Sequence, residues 1–536
     1  MPVISKHWRD ILLALLLLTQ FAVRGELSLA RESPVWDERL HVGYGLALLD
    51  RGPDFDGQDH PYLLAAALAL PTWLRLPGPD RYAQGDIDDS AVLLPVRRAN
   101  LALATLALAL LALWARHRRG PGFAAAVLAV AALDPTWLAQ ARYATTDVGH
   151  ALGWWLAAWA LWQHRQNGRW RWLLLAGGGM ALGLASKWST LALPLLVPLV
   201  WLGAGPPWRQ RLLPAARAAL VTLAVALVAL LLAFGALALW RHVPVADAAA
   251  HVWHGLQASL LKRTVARGVY LAGSWWPDGT RLYCPLLLLA KTPVALLALG
   301  AIGAAWRPAR ALWREDGGWL ALLLGYLALA VAAKQNLGHR HLTPFLPVLW
   351  WLAAAALAAL WRAAGRLRWT APALATLLAG EVLAAHPDYL PFTNGCFGGP
   401  DAVPPVVVDA AADWGQALPA LHGYLQAHPA QRVDLAYFGN ADPQRYVGET
   451  VWRSCGALGR PAARGQARAS VGDPAELLAV SATCIYGGAG VRDGQSADLR
   501  RRDDAWAYLR GVEPTTVIGG ALYVFRNHPG VNTNGH

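Results

Sequence analysis

Runs of Leu, Ala and Val, separated by short polar interruptions, set the pattern of this chain as far as residue 386. A bilayer needs roughly 17–25 apolar residues per crossing helix. Runs near that length fall at 11–23, 99–115, 123–138, 148–162, 172–184, 191–202, 213–240, 283–306, 319–333, 345–360 and 370–385. They predict a mainly α fold, a polytopic transmembrane helical bundle of about eleven spans. The first run could be a signal peptide, since Lys6 and Arg9 precede a short apolar core. No small-x-small cleavage site follows it, so an uncleaved anchor is expected. Between the first two runs lies a long segment, 24–98. Its apolar piece, 62–76, is broken by Pro71 and closed by Pro77, which predicts helices lying at the membrane interface. From Pro387 the pattern changes. Asp413 is placed to N-cap a helix with Leu418, Leu421 and Leu425 on one face, and runs at 433–438, 477–482 and 521–525 read as strands. Residues 1–386 are thus expected to form the membrane part and 387–536 a soluble α/β domain of ordinary size.

Charge adds a direction to this picture. Only 15% of the residues are charged and 56% are hydrophobic, whereas soluble chains carry about 25% charged residues. The net charge of +13 does not point to nucleic acid, because the cations sit in short clusters between apolar runs and no basic-aromatic module appears. With the N-terminus inside, clusters at 116–119, 164–171, 209–211, 307–314 and 362–368 all fall on the inner side, as the positive-inside rule asks. The same count puts Asp37, Asp147, the loop 242–282 and everything after residue 387 outside. A multi-pass inner (plasma) membrane protein with an extracytoplasmic C-terminal domain is the expectation. The four cysteines form no CxxC; Cys455 and Cys484 could pair, but spacing alone does not decide it.

That topology delivers chemistry to one face. Trp36-Asp37-Glu38-Arg39 follows the first span, and Asp147 ends Ala144-Thr145-Thr146-Asp147 after the next hairpin. Acids also favour helix N-termini, so a solvated helix start and an N-cap are the plain alternatives. Asp59-His60-Pro61 can ligate a divalent cation, with His251 or His254 completing the site, or can cap a Pro-started helix. Lys187, Lys291, Lys334 and Arg340 lie outside or within the membrane, against the topology rule. Snorkelling accounts for Lys334 and Arg340 as readily as function does. Lys291 sits about two helical turns into a span, where an ionisable group is a functional candidate by default. Together these cations suit a phosphate held at the membrane surface.

Trp36-Asp37-Glu38, Asp59-His60-Pro61, Ala141-Arg142-Tyr143-Ala144-Thr145-Thr146-Asp147, Gly183–Lys187, Lys291-Thr292-Pro293 and Asn336-Leu337-Gly338-His339-Arg340-His341, with Pro344 and Pro347, occur in an order that resembles the C-type membrane glycosyltransferases. The similarity is to the superfamily of protein O-mannosyltransferases and lipid A aminoarabinose transferases (glycosyltransferase family 39). Beyond residue 386 the chain is similar to a bacterial subgroup, through His386-Pro387, Gly398-Gly399-Pro400, Asp413-Trp414-Gly415-Gln416 and Tyr437-Phe438-Gly439-Asn440-Ala441-Asp442-Pro443. It departs from the pattern at His341, where Tyr is usual, at Asp59, where Glu is usual, and in the shortened polar run Val408-Asp409-Ala410-Ala411-Ala412.

The resemblance implies inverting transfer of a sugar from a polyprenyl-phosphate-linked donor to a hydroxyl of a protein, lipid or polysaccharide acceptor. Asp37 is then the base or acceptor-positioning group, with Asp147 and Glu38 as further acids. Arg340, Lys291, Lys187 and Lys334 would bind the donor phosphate. Asp59, His60 and His254 would hold a divalent metal if one is used, and no nucleotide cofactor is expected. Asp413, Trp414 and Gln416 either bind the acceptor or form a packed helix start. A transporter or flippase for a lipid-linked substrate is the alternative, though no inverted repeat is visible. A non-catalytic membrane subunit is the third reading.

Overall fold

The computed structural model describes residues 2–53, 60–77, 85–202, 207–264, 268–333, 336–429, 433–448, 451–454, 477–487 and 506–526. Helices form at every apolar run, and prolines decide where they bend. The first half contains α1 (Pro2–Leu29), α2 (Glu38–Arg51), α3 (Leu63–Trp73), α4 (Ser90–Arg119), α5 (Pro121–Ala132), α6 (Pro135–Ala141), α7 (Asp147–Asn167) and α8 (Arg171–Ser186). After α9 (Leu193–Leu196), flanked by 3-10 turns, come α10 (Trp208–Trp240), α11 (Val245–Thr264), α12 (Tyr283–Lys291), α13 (Val294–Ala305), α14 (Arg307–Trp313), α15 (Gly317–Ala332), α16 (Leu346–Trp361) and α17 (Thr370–Ala384). The chain is a polytopic helical membrane protein.

Among the described residues, five helices are long and apolar enough to cross a membrane, or up to seven with two bent pairs counted as spans. This is fewer than the apolar runs suggest, for a definite reason. Proline removes a backbone donor and pushes the residue before it out of the helical region. The run at 123–138 therefore breaks by 69° at Asp134-Pro135, and the run at 283–306 by 112° at Thr292-Pro293. The run at 191–202 forms only short α and 3-10 turns. In the segment 24–98 the short helices α2 and α3 form, and α3 runs through Pro71, where the sequence suggested a break.

The basic loops gather at one end. Arg118 and Arg119 both bind Asp316, Arg116 pairs with Asp10, and Arg165 donates to the Val200 carbonyl. At the opposite end lie the start of α2, the start of α7 and the 3-10 turn His339–Phe345.

Helices α7 and α8 are antiparallel and set the spacing of that end. Small residues let membrane helices approach closely. A Cβ on Gly153 would lie 2.5 Å from the Gly183 nitrogen and 2.6 Å from the Gly179 carbonyl oxygen. This contact holds Asp147, first residue of α7, opposite Lys187, just past α8. Gly153→Val will force the pair apart, lowering the unfolding midpoint by the equivalent of about 1–3 kcal/mol. Gly178→Ala, where an added Cβ meets open space and alanine favours the helix, should hold or slightly raise the midpoint in the same thermal assay.

After a short antiparallel ribbon, β1 (Val269–Leu271) with β2 (Ser274–Trp276), the remaining strands form one sheet. These are β3 (Val433–Tyr437), β4 (Val451–Ser454), β5 (Leu477–Ser481), β6 (Thr516–Ile518) and β7 (Leu522–Arg526), in the order β4-β3-β5-β7-β6. β3 is parallel to β4 and β5; β7 is antiparallel to β5 and β6. Central strands covered on both faces read as unbroken apolar runs, and β3 and β5 are buried throughout. Side chains alternate between two faces. Leu435, Ala479 and Val524 pack with Leu418 and Leu421 of α18 (Leu418–Ala427), whereas Ala436, Val480 and Tyr523 join the core of the helical part. That second face shares its core with Tyr389, Leu390, Val408, Ala410 and Trp414 and with the membrane helices. Cys484 is disulfide-bonded, Cys284 and Cys396 are free, and Cys455 lies outside the described residues.

Candidate active site

Four side chains of alternating charge meet at the end remote from the basic loops. Asp37, at the N-cap of α2, forms an ion pair with Arg340. Arg340 also lies 3.9 Å from Asp147, and Lys187 donates to the other Asp147 oxygen at 2.5 Å. The chain Asp37–Arg340–Asp147–Lys187 thus joins four elements distant in sequence. Its two acids differ in access. The Asp37 side chain is 21% exposed, whereas that of Asp147 is 1% exposed. Burial pushes the Asp37 carboxyl up, but Arg340, aided by His41 and His60, outweighs it and holds the group below its ordinary value.

Arg340 is aimed by its surroundings. Its Nε donates to the Leu337 carbonyl at 3.1 Å, and the guanidinium lies 4.5 Å over the Trp414 ring, a favourable cation–π contact. The turn carrying it is pinned by Tyr326, whose hydroxyl donates to the His341 carbonyl, and by Trp155, whose indole donates to the Pro344 carbonyl. Gly338 opens the turn at φ 95, and a Cβ there would meet the Ala410 carbonyl oxygen at 3.0 Å. Around this cluster, the Thr145 and Thr146 hydroxyls, Asp147 Oδ2, His339 Nδ1 and His341 Nε2 are buried without a hydrogen-bond partner among the described residues.

Glu38 occupies a different place from its neighbour. It is fully buried, and Arg97 grips it through Nε at 2.8 Å and Nη2 at 2.6 Å. The Val35 and Ala144 amides donate to the same carboxylate at 2.8 and 2.7 Å. Arg97 gives its remaining N–H groups to the carbonyls of Leu29, Glu32 and Ser33. Asn100, one turn further along α4, donates to the Gln140, Ala141 and Tyr143 carbonyls. This clamp fixes the two loops that carry Asp37 and Asp147. Sequence reasoning missed Arg97. The available signal was an arginine on the outer side of a span, the feature that singled out Arg340.

The segment Asp413–Gln416 closes the site from the sheet side. Trp36 N donates to the Trp414 carbonyl and Ser33 N to the Gln416 carbonyl. Trp36 stacks on Phe438 at 5.0 Å, and Asn440 donates to the Trp36 carbonyl. The expected cap at Asp413 is not formed. The helix begins at Leu418 with Ala417 as N-cap, while Asp413 Oδ2 accepts from the Thr483 amide. The Gln416 side chain is likewise turned inward, onto the Ala412 carbonyl and the Trp414 amide. Burial pushes Asp413 up to about 7 against an ordinary 3.8, although hydrogen bonds from Thr483 oppose the rise. The folded protein therefore holds this proton more tightly than the unfolded chain, and stability falls as pH rises from about 4 to about 7. Asp413→Asn should flatten that part of the profile when unfolding midpoints are compared across the range.

Other expected site residues do not join the cluster. Lys291 lies at the 112° break, and its Nζ donates to the Leu390 carbonyl at 3.2 Å. It pairs with no acid among the described residues. Lys334 and Asp59 lie outside the described residues. His60 stands beside His41, with ring centroids 5.6 Å apart, but His254 is exposed on α11. Among the described residues no three His, Cys, Asp or Glu side chains are grouped to hold a metal, and the expected trio includes Asp59, which lies outside them.

Residues 90–234 match the family model described as dolichyl-phosphate-mannose-protein mannosyltransferase. No curated protein matches the chain. Among solved structures it is similar to ArnT from Cupriavidus metallidurans in the apo state (17% identity, 71% of this chain and 63% of that chain, TM-score 0.48). It is also similar to the S. cerevisiae protein O-mannosyltransferase Pmt1-Pmt2 complex bound to the sugar donor (20% identity, 42% and 33%, TM-score 0.35). A third is the archaeal oligosaccharyltransferase AglB from Archaeoglobus fulgidus, in complex with an inhibitory peptide and a dolichol-phosphate (14% identity, 70% and 54%, TM-score 0.43). The chain spans less than two thirds of the length of each. Arg97, Asp147 and Lys187 all lie inside the stretch 90–234 that matches the family model.

Proposed function

We propose that this protein transfers a hexosyl or pentosyl unit from a polyprenyl-phosphate carrier to an acceptor hydroxyl at the extracytoplasmic face of the inner membrane, with inversion. The unequal exposure of the two acids tied to Arg340 carries this reading. Asp37 is the reachable carboxylate and takes the proton of the attacking hydroxyl. Asp147 is buried and holds Lys187 and Arg340 in place. The bond between the sugar's anomeric carbon and the phosphate oxygen breaks, and its electron pair leaves with polyprenyl phosphate. Arg340 and Lys187 offset the negative charge that develops there. The Thr145, Thr146, His339 and His341 atoms that find no partner among the described residues give the donor further polar contacts. Residues 1–386 hold the donor in this scheme, and residues 387–536 supply Trp414 as a wall of the site. Among the described residues no metal site is assembled, and no step is routed through one.

The test is the anomeric configuration of the first-formed product, read by NMR with a donor of defined anomer and a purified acceptor. A single inverted anomer is expected; a retained one would mean a covalent sugar–enzyme intermediate and overturn the direct displacement.

A further inference from the structure

At the end of the bundle opposite the acids, α4, α7 and α8 enclose a cavity of about 380 Å³. Its inner wall is aliphatic, with Leu110, Leu152 and Leu156, and nearer the helix ends it is aromatic, with Trp114, Trp159 and Trp172. Leu113 at its edge is 62% exposed, so the cavity opens outward between the helices. The indole N–H groups of Trp114, Trp159 and Trp172 are buried and find no acceptor among the described residues. Trp114 itself is only 5% exposed. Buried donors without acceptors are costly, and three in one apolar cavity suit a ligand that brings acceptors and no donors.

The rim supplies a charge. Arg171 lies 5.3 Å over the Trp172 ring and is exposed, and His117 lines the opening. Of the cations in the neighbouring loops, Arg116, Arg118 and Arg119 are paired with Asp10, Glu315 and Asp316 and Arg165 donates to the Val200 carbonyl, which leaves Arg171 as the exposed charge beside the indoles. From depth to rim the site therefore runs apolar, donor-rich, cationic. A glycerophospholipid has the complementary order of acyl chain, ester carbonyls and phosphate.

We infer that this cavity is a binding site for an anionic glycerophospholipid of the leaflet facing the basic loops. The acyl chain lies along Leu110, Leu152 and Leu156, the ester oxygens accept from the indoles, and the phosphate sits at Arg171. Because α7 and α8 also carry Asp147 and Lys187, the bound lipid braces the hairpin that spaces the active site. The site rests on the cavity and its rim, not on the proposed transfer reaction, and its test does not need that reaction.

The full-length protein, purified and stripped of lipid in detergent, is titrated with phosphatidylglycerol, phosphatidylcholine or inorganic phosphate. Native mass spectrometry counts bound molecules and thermal unfolding reports their effect. Phosphatidylglycerol is expected to give one saturable adduct and a higher midpoint, phosphatidylcholine a much weaker effect, and inorganic phosphate none. Replacing the indoles by phenylalanine, Trp159→Phe with Trp172→Phe, keeps the aromatic bulk and removes two donors, weakening the adduct about tenfold. Arg171→Gln, at an exposed position that folding does not depend on, should erase the preference for phosphatidylglycerol. Equal binding of both lipids, indifference to these variants, or a full response to inorganic phosphate would each overturn the site.

Discussion

Asp37→Asn is expected to leave a folded protein that binds donor and fails to transfer. The substitution keeps the shape of the side chain and an oxygen for Arg340, and the site is partly open to solvent, so the unfolding midpoint should stay near that of the wild type. The lost function is proton acceptance. General-base groups contribute roughly 10²–10⁴-fold to rate, and turnover should fall by about that factor with little change in KM for the donor. Asp147→Asn is the informative contrast. It leaves the buried Lys187 without its acid, so it should lose stability together with activity. Thermal unfolding and donor turnover measured on both variants separate the roles, and a stable, fully active Asp37→Asn would remove Asp37 from the mechanism.

The largest stability effect is expected at Glu38, next in sequence. Glu38→Ala strands the Arg97 guanidinium, whose side chain is 1% exposed, and deprives the Val35 and Ala144 amides of their acceptor. Breaking a buried pair by removing one partner costs about 3–5 kcal/mol, a large part of what holds a domain together. The expected outcome is a sharp fall in unfolding midpoint and in yield of folded protein, with activity lost because neither acid-bearing loop keeps its place. Arg97→Lys should behave similarly, since an ammonium cannot reproduce the planar fork that binds Glu38 twice and three carbonyls besides. If Glu38 were itself the base, Glu38→Gln would give a stable and inactive protein. The clamp predicts loss of stability first.

The contrast between these neighbours shows what the sequence can carry. Asp37, Asp147, Arg340 and Lys187 stand out because an ionisable residue at the end of an apolar run is expensive unless it has a use. Their order along the chain was enough to suggest one site. Glu38 looked like a member of the same set and Asp413 like a helix cap or an acceptor contact, because composition and spacing say that an acid is present and not which partner it faces. Arg97 reaches Glu38 across 59 positions and Thr483 reaches Asp413 across 70, pairings that no local pattern encodes. Lys291 misled for a related reason. Its depth in an apolar run was evident, but the 112° turn at Pro293, which sets the helix direction after it, was not. Strands β3, β5 and β7 were legible from their apolar runs, whereas the edge strands β4 and β6 were not. That one face of the sheet would merge with the membrane core became visible only when Leu435 and Ala436 were seen to enter different cores.

The most direct test of the central claim uses the purified protein in lipid, supplied with a panel of polyprenyl-phosphate sugars labelled in the sugar. Release of free polyprenyl phosphate and the fate of the label are followed together. Consumption of one donor, with label passing to an acceptor hydroxyl and no consumption by Asp37→Asn, is the predicted result. Donor that binds and is moved across the bilayer intact, in both proteins alike, would contradict a transferase and make the protein a carrier of lipid-linked sugars.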